Sequence, residues 1–112
     1  MRSHRVFDVT TVEGRRKLVA RGLGARAVRL NQFDSQPGQA GFEHHERESG
    51  QEEVYLALSG DGVLLVDGDE VELRPGLYVL VPPESTRQVV AGGDGLSYLV
   101  VGAHVEGGQP PG

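Results

Sequence analysis

The chain has 112 residues, enough for one domain with its own core, and its 16 acidic and 11 basic side chains give a formal charge of −5. This balance argues against a nucleic-acid partner, because general nucleic-acid binders present a basic face. The absence of cysteine excludes disulfides, thiolate metal sites and a cysteine nucleophile.

The first third of the chain gives weak structural signals. Residues 6–12 mix β-branched and aromatic side chains, which predicts a first strand, whereas residues 13–22 fit either a helical turn or an irregular connection. Five of the ten arginines lie between positions 15 and 29, and we interpret them as a solvated, mildly basic surface. Alternation predicts a strand over residues 25–33. Residues 36–39 (QPGQ) form a turn signal.

From residue 53 onward, short apolar runs alternate with glycine- and proline-containing turns. The predicted strands are 53–58, 63–66, 70–73, 77–81, 86–90 and 96–101. Strands spaced about ten residues apart predict an all-β sandwich or barrel, and Asp67-Gly68 is a hairpin signal. No helix longer than two turns is supported after residue 25. Several runs are apolar on both faces, which favours burial on both sides and suggests a subunit partner.

Histidine and carboxylate side chains come just ahead of the predicted strand 53–58. Imidazole and carboxylate groups hold divalent metals such as Zn, Fe, Ni and Mn, so a small barrel enclosing them could carry a metal site at its mouth. His44 and His45 are adjacent, and on an extended strand only one of them can point inward. Glu53 and Tyr55 share strand parity and are expected on one face. A buried carboxylate is costly unless it is paired or bound to metal.

The spacing of these residues resembles the first conserved motif of the cupin superfamily of small β-barrels. That motif reads Gly, five residues, His-x-His, three or four residues, Glu, six residues, Gly. Gly38 precedes His44 at the motif spacing, and Gly60 follows Glu53 in the same way. The second histidine of the motif falls on Glu46, and the six residues from there to Glu53 make the gap longer than usual.

The second cupin motif reads Gly, five residues, Pro-x-Gly, two residues, His, three residues, Asn. Gly76 and Pro82 match its opening, but Arg87 stands where the histidine belongs, and the asparagine is absent. Arginine stays cationic and cannot ligate a metal. The resemblance covers about half the chain. It implies an all-β cupin barrel, of the double-stranded β-helix or jelly-roll type, over residues 1–106. Residues 107–112 contain no core former, and we expect a disordered tail there.

Two main interpretations of the function stay open, beside a third in which the barrel is mainly a dimerisation module, as the strands that are apolar on both faces would allow. In the first, the barrel is a non-catalytic or sensory protein that binds a small organic ligand without a required cofactor. Arg87 would anchor an anionic or hydroxylated ligand, and an inward bidentate ion pair with Glu53 would orient the guanidinium. Tyr55 and Tyr78 would supply wall area and hydroxyl groups.

In the second interpretation, the chain is a metal-dependent enzyme, as the resemblance implies: a dioxygenase, isomerase or epimerase acting on a small metabolite. One divalent ion (Zn, Fe, Mn or Ni) would be held by a set drawn from His44, His45, Glu46 and Glu53. Family members commonly pair through their sheets, so a homodimer is expected in either case. The N-terminus has no signal-peptide core and no apolar run approaches the ~20 residues of a membrane span, so we expect a cytoplasmic protein without a membrane partner.

Overall fold

The computed structural model describes residues 3–107, and strands dominate it. The six strands are β1 (Arg16–Lys17), β2 (Arg29–Ser35), β3 (Gln51–Val66), β4 (Asp69–Leu73), β5 (Tyr78–Val81) and β6 (Arg87–His104). The single α-helix described is α1 (Val19–Leu23), and 3₁₀ turns cover Val9–Thr11 and Val105–Gly107. The all-β prediction is therefore confirmed. Apart from Gly107, the predicted tail lies outside the described residues.

All six strands belong to one antiparallel sheet. Its order is β1-β2-β6-β3-β4, with β5 pairing β3 beside that path. β3 and β6 form the long central pair, whose register runs from Gln51 opposite His104 to Val66 opposite Arg87. Register shifts interrupt this pair near its middle, and such bulges bend the strands. The sheet is not closed by hydrogen bonds, but it rolls into the predicted jelly roll.

The central pair corrects the predicted strand boundaries. Residues 53–58 and 63–66 belong to one strand, β3, and the predicted strands 86–90 and 96–101 belong, from Arg87 onward, to another, β6. The two glycine-containing segments were predicted to turn the chain, but they lie opposite each other, so the ladder continues through them as bulges. Gly60 shows how closely they approach: it has a φ of +78°, and a Cβ there would come within 2.1 Å of the Gly95 carbonyl oxygen.

The N-terminal third also differs from the prediction. The predicted strand over residues 6–12 is wrong, because Asp8 caps a 3₁₀ turn by accepting a hydrogen bond from the Thr10 amide. The open segment 13–22 contains β1 and the beginning of α1, which ends at Leu23. The predicted strand 25–33 is shifted towards the C-terminus and becomes β2.

The hairpin between β3 and β4 matches its prediction. Val66 pairs with Asp69 across the two-residue turn Asp67-Gly68. Asp67 has a φ of 49° and Gly68 a φ of 90°, and the I′ turns that join twisted strands need positive φ at both positions.

One apolar core fills the inside of the roll. Its fully or nearly buried members come mainly from alternate positions of β3 and β6, and they are Tyr55, Ala57, Leu64, Leu73, Val81, Val89, Ala91, Leu96, Tyr98 and Val100. Burial on both faces is not seen at β5 in the single chain, where Tyr78 and Leu80 are exposed. No helix within residues 3–107 is long and apolar enough to cross a membrane.

Candidate functional site

A cavity of about 360 Å³ lies between β2, β3, β6 and the segment that connects β2 to β3. A volume of this order suits a small organic molecule. His44, Glu46, Glu53 and Tyr55 line one part of it, and Arg15, Phe33 and Tyr98 line another. The cavity therefore combines charged groups with an aromatic wall.

Glu53 is the centre of the polar part. Its Oε1 accepts a hydrogen bond of 2.8 Å from the Tyr55 hydroxyl. The same oxygen lies 3.4 Å from His44 Nε2 and 3.4 Å from Arg87 Nε. Glu53 and Tyr55 share the inner face of β3, as their parity predicts. One hydroxyl donor, one imidazole nitrogen and one guanidinium charge therefore surround a single carboxylate oxygen, which is the environment that an ionised carboxylate needs when it is largely buried.

Backbone pairing explains why His44 and Arg87 meet at this carboxylate. The His44 amide donates to the Arg87 carbonyl at 2.9 Å, and the Arg87 amide donates to the His44 carbonyl at 2.8 Å. This isolated bridge ties the connector before β3 to the first residue of β6. The two sequence motifs are thereby held together by the main chain, with their side chains on either side of Glu53.

Arg87 occupies a different place from the one predicted. It is 1% exposed and is not among the cavity-lining residues, so it does not reach a ligand there. The predicted bidentate fork is also wrong. Nη1 donates to the Ser85 carbonyl at 2.7 Å, which turns the guanidinium so that only Nε approaches Glu53. Among the residues described, Nε and Nη2 have no hydrogen-bond partner. Arg87 is thus a buried counter-charge behind Glu53.

The protonation states in this cluster depend on one another. Burial is the largest influence on Glu53 and raises its pKa, but the contacts from His44 and Tyr55 and the charge of Arg87 outweigh burial and lower the pKa below its ordinary value. Glu53 is the largest influence on His44 and raises the pKa of that imidazole. Burial, followed by the charge of Glu53, raises the pKa of Tyr55, so its hydroxyl stays protonated and donates.

Three of the predicted metal ligands converge. Donor atoms of His44, Glu46 and Glu53 all lie within 4.8 Å of one another. Ser49 Oγ donates to Glu46 Oε1 at 2.7 Å and so fixes that carboxylate. One imidazole and two carboxylates suit a borderline divalent ion, so these residues fit a three-ligand site. Arg87 leaves no fourth ligand from the second motif.

His45 is separate from this group. Its Nδ1 accepts from the Arg47 amide and lies 3.7 Å from Glu48 Oε2. Of the two adjacent histidines, His44 is therefore the one at the cavity, and the inclusion of His45 among the ligands is not supported by its position.

Tyr78 does not line the cavity as predicted. It is 73% exposed on the outer face of β5, together with Leu80, whereas Val81 on the opposite face is fully buried. The alternation of side chains along a strand accounts for this placement. Tyr78 cannot contact a ligand in the cavity from this face.

Arginines at the cavity were not predicted from the sequence. Arg15, Arg16 and Arg29 all line the cavity. Arg16 and Arg29 are exposed, as the interpretation of a solvated surface implies, whereas Arg15 is half-buried. Arg16 is brought there by pairing with Phe33 of β2, and the Arg15 carbonyl accepts a hydrogen bond from the Asp34 amide. One local signal was available, since the spacing of Arg29 and Phe33 places both on one face of β2.

Comparison with known proteins identifies the family. Residues 31–102 match the family described as Cupin domain. The chain belongs to the cupin family. The whole fold agrees: a cupin protein from Bacteroides fragilis superposes with a TM-score of 0.84 at 22% identity, covering 100% of this chain and 93% of that one.

Two further similarities involve named enzymes. A cupin-superfamily sugar phosphate isomerase from Silicibacter pomeroyi has a TM-score of 0.73 at 20% identity, covering 90% of this cupin and 76% of that chain. Dimethylsulfoniopropionate lyase DddW from Ruegeria pomeroyi is 37% identical over 46 residues, which are 41% of this chain and 30% of the lyase. The match therefore spans less than a third of the lyase. The similarity to the two solved structures shows the fold alone.

Proposed function

We propose that this cupin binds a small organic ligand in its cavity, with the polar groups of His44 and Glu53 at one end. The observation that carries the proposal is the buried Arg87, which stands at the histidine position of the second motif and lies 3.4 Å from Glu53. The guanidinium supplies a permanent positive charge beside the carboxylate. Glu53 is thereby compensated by the protein itself.

His44 supports a binding site that works without an ion. Its Nδ1 lies 3.3 Å from the Phe42 carbonyl oxygen, and its Nε2 lies 3.5 Å from Glu46 Oε2 as well as near Glu53. Both ring nitrogens therefore face acceptors, an arrangement that suits the doubly protonated imidazolium. Its side chain is 39% exposed, so the ring can also present an N–H to a ligand oxygen.

An NMR titration tests the proposal. We would add butyrate and its neutral counterpart butyramide, in millimolar amounts, to ¹⁵N-labelled protein freed of metal by chelation. The backbone amides of residues that line the cavity, such as Tyr55 and Val100, should shift, whereas those of Tyr78 and Leu80 on the outer face should not. The proposal is wrong if neither probe shifts the cavity amides, or if the shifts spread evenly over the surface.

A second candidate is a metal-dependent enzyme, and the convergence of His44, Glu46 and Glu53 favours it. These three residues would hold one divalent ion, which would polarise a carbonyl or carboxylate oxygen of the substrate. Tyr55 would hold Glu53 in place by its hydrogen bond. The similar proteins named above are a lyase and an isomerase, so these reaction classes are the first to assay.

Elemental analysis of protein purified without a histidine tag tests this candidate. Stoichiometric metal that is lost in His44→Ala but kept in His45→Ala would support it. His45 is the matched control, because it is the neighbouring histidine and lies outside the three-residue group. Protein without bound metal, whose melting temperature does not respond to added Zn, Fe, Mn or Ni, would contradict it.

We also propose that the chain is a cytoplasmic homodimer. The exposed apolar side chains of Tyr78 and Leu80 on β5 support the dimer, because large apolar groups side by side at a surface often mark an interface. Light scattering after size-exclusion chromatography should give twice the mass of the chain. A monomer mass over the micromolar range would contradict the dimer.

A further inference from the structure

The part of the cavity away from Glu53 is built on aromatic rings. The guanidinium carbon of Arg15 lies 5.5 Å from the centroid of the Phe33 ring. Phe33 stacks on Tyr98 with centroids 5.2 Å apart, and Tyr98 stacks on Tyr55 at 6.5 Å. A continuous aromatic wall thus runs from Arg15 to Tyr55, which hydrogen-bonds Glu53. Arg15 and Glu53 stand near its two ends.

Arg15 is held in place but its charge is not compensated. Its Nε is buried and has no hydrogen-bond partner, and within residues 3–107 no carboxylate forms a salt bridge with it. A Cβ added to Gly41 would lie 3.3 Å from Arg15 Nη2 and 3.5 Å from the Tyr98 hydroxyl. The tip of the guanidinium and this hydroxyl therefore both lie beside Gly41, and all three residues line the cavity.

The local charge is opposite to that of the whole chain. Three arginines and two glutamates line the cavity, although the chain carries a formal charge of −5. Arg87 already compensates Glu53 from behind, so the arginines at the cavity are not needed for that purpose. A guanidinium that lies on an aromatic ring and is partly removed from water binds carboxylate or phosphoryl oxygens well, because its planar N–H groups match their geometry.

We infer that Arg15 binds the negatively charged group of the ligand, so that the ligand is a small organic anion. Its acidic group, a carboxylate or a phosphoryl group, would contact Arg15 and the Tyr98 hydroxyl, and its carbon skeleton would lie along Phe33. This inference rests on the proposed function, since it assigns the ligand class of the same cavity. The deciding group is an arginine that precedes β1, outside both cupin motifs.

The experiment compares matched anionic and neutral probes. Butyrate is compared with butyramide, and glycerol 3-phosphate with glycerol, by NMR titration of the metal-free protein and two variants. Arg15→Gln removes the charge of Arg15 and keeps those of Arg16 and Arg29 at the cavity, and Arg26→Gln removes one charge from an exposed position that does not line it. The two anions distinguish a carboxylate from a phosphoryl ligand.

In the unmodified protein and in Arg26→Gln, at least one anion should bind about 10-fold or more tightly than its neutral counterpart, since the hydrogen bonds from Arg15 to an anion are charge-assisted and therefore stronger. Arg15→Gln should abolish this preference and leave the neutral probes unaffected. Equal binding of anion and neutral probe by the unmodified protein would overturn the inference while leaving the proposed function intact. An anion preference retained in Arg15→Gln would overturn it too.

A second variant covers the case in which Arg15→Gln does not fold. Gly41→Ala would place a methyl group 3.3 Å from Arg15 Nη2, so the end of that flexible side chain must move by a few tenths of an ångström. Anion binding should then weaken severalfold, with neutral binding unchanged. Unchanged anion binding in Gly41→Ala would count against the inference. Binding of none of the four probes in the cavity would overturn the proposed function and this inference together.

Discussion

The buried pair of Glu53 and Arg87 predicts a large and specific loss of stability. In Glu53→Gln an amide of nearly the same shape replaces the carboxylate. Arg87 is 1% exposed, and Glu53 is the carboxylate that approaches it, with Nε 3.4 Å from Oε1. The substitution therefore leaves a buried guanidinium without its counter-charge. Removing one partner of a buried pair costs about 3–5 kcal/mol, a large share of the roughly 5–15 kcal/mol that stabilises a typical domain.

Urea unfolding followed by circular dichroism measures this loss, because the chain has no tryptophan for fluorescence. The matched control is Glu52→Gln, the same chemical change at the preceding, exposed residue, which should cost less than about 0.5 kcal/mol. In an Arg87→Met background the cost of Glu53→Gln should fall to about 1 kcal/mol or less, because no buried charge is left uncompensated. Equal costs for Glu53→Gln and Glu52→Gln would refute the central role of the pair.

Three further predictions concern the same fold and site. Tyr55→Phe removes the 2.8 Å hydrogen bond to Glu53 and should lower the unfolding free energy by about 1.5–3 kcal/mol, measured in urea; no loss would show that the hydroxyl is not bonded in solution. Glu53 raises the pKa of His44 in the folded state, so protonation of His44 stabilises the fold. This stabilisation is fully present below 6.5, the pKa of the imidazole in the unfolded chain, and is lost as pH rises through the higher pKa of the folded state. Melting temperature should therefore fall more steeply as pH rises above 6.5 in the parent protein than in His44→Gln, and parallel curves would contradict this. Gly60→Ala should lower the melting temperature strongly, since the new Cβ would come within 2.1 Å of a backbone oxygen. Gly93→Ala is the control and should be nearly neutral, because a Cβ there has nothing within 4 Å. Equal melting temperatures of the two variants would show that β6 does not approach Gly60 so closely.

Local patterns in the sequence predicted much of the fold. Strand alternation placed Glu53 and Tyr55 together on the inner face of β3, and Asp67-Gly68 marked the hairpin correctly. The same local logic failed at Gly60, because glycine marks both turns and bulges. Only the pairing with a distant segment of β6 distinguishes a bulge from a turn, and local sequence patterns do not contain that information.

The candidate site was predicted less completely for a related reason. The motif spacing identified His44 and Glu53 as candidates and placed Arg87 beside Glu53. The guanidinium of Arg87 is kept away from the cavity by a hydrogen bond to the Ser85 carbonyl, and this contact depends on the folded chain. Arg15 was missed because β1 reaches the cavity through pairing with β2, and a basic residue in a weakly patterned segment looks like ordinary surface.

The measurement that tests the central claim most directly is the dissociation constant of butyrate for the metal-free cupin, with and without one equivalent of Zn or Mn. The central claim is that Arg87, as the buried counter-charge of Glu53, makes the cavity competent without an ion. It therefore predicts binding to the metal-free protein, with a constant that added metal changes by less than about twofold. Binding that occurs only when the metal is present would contradict the account and favour the metal-dependent alternative.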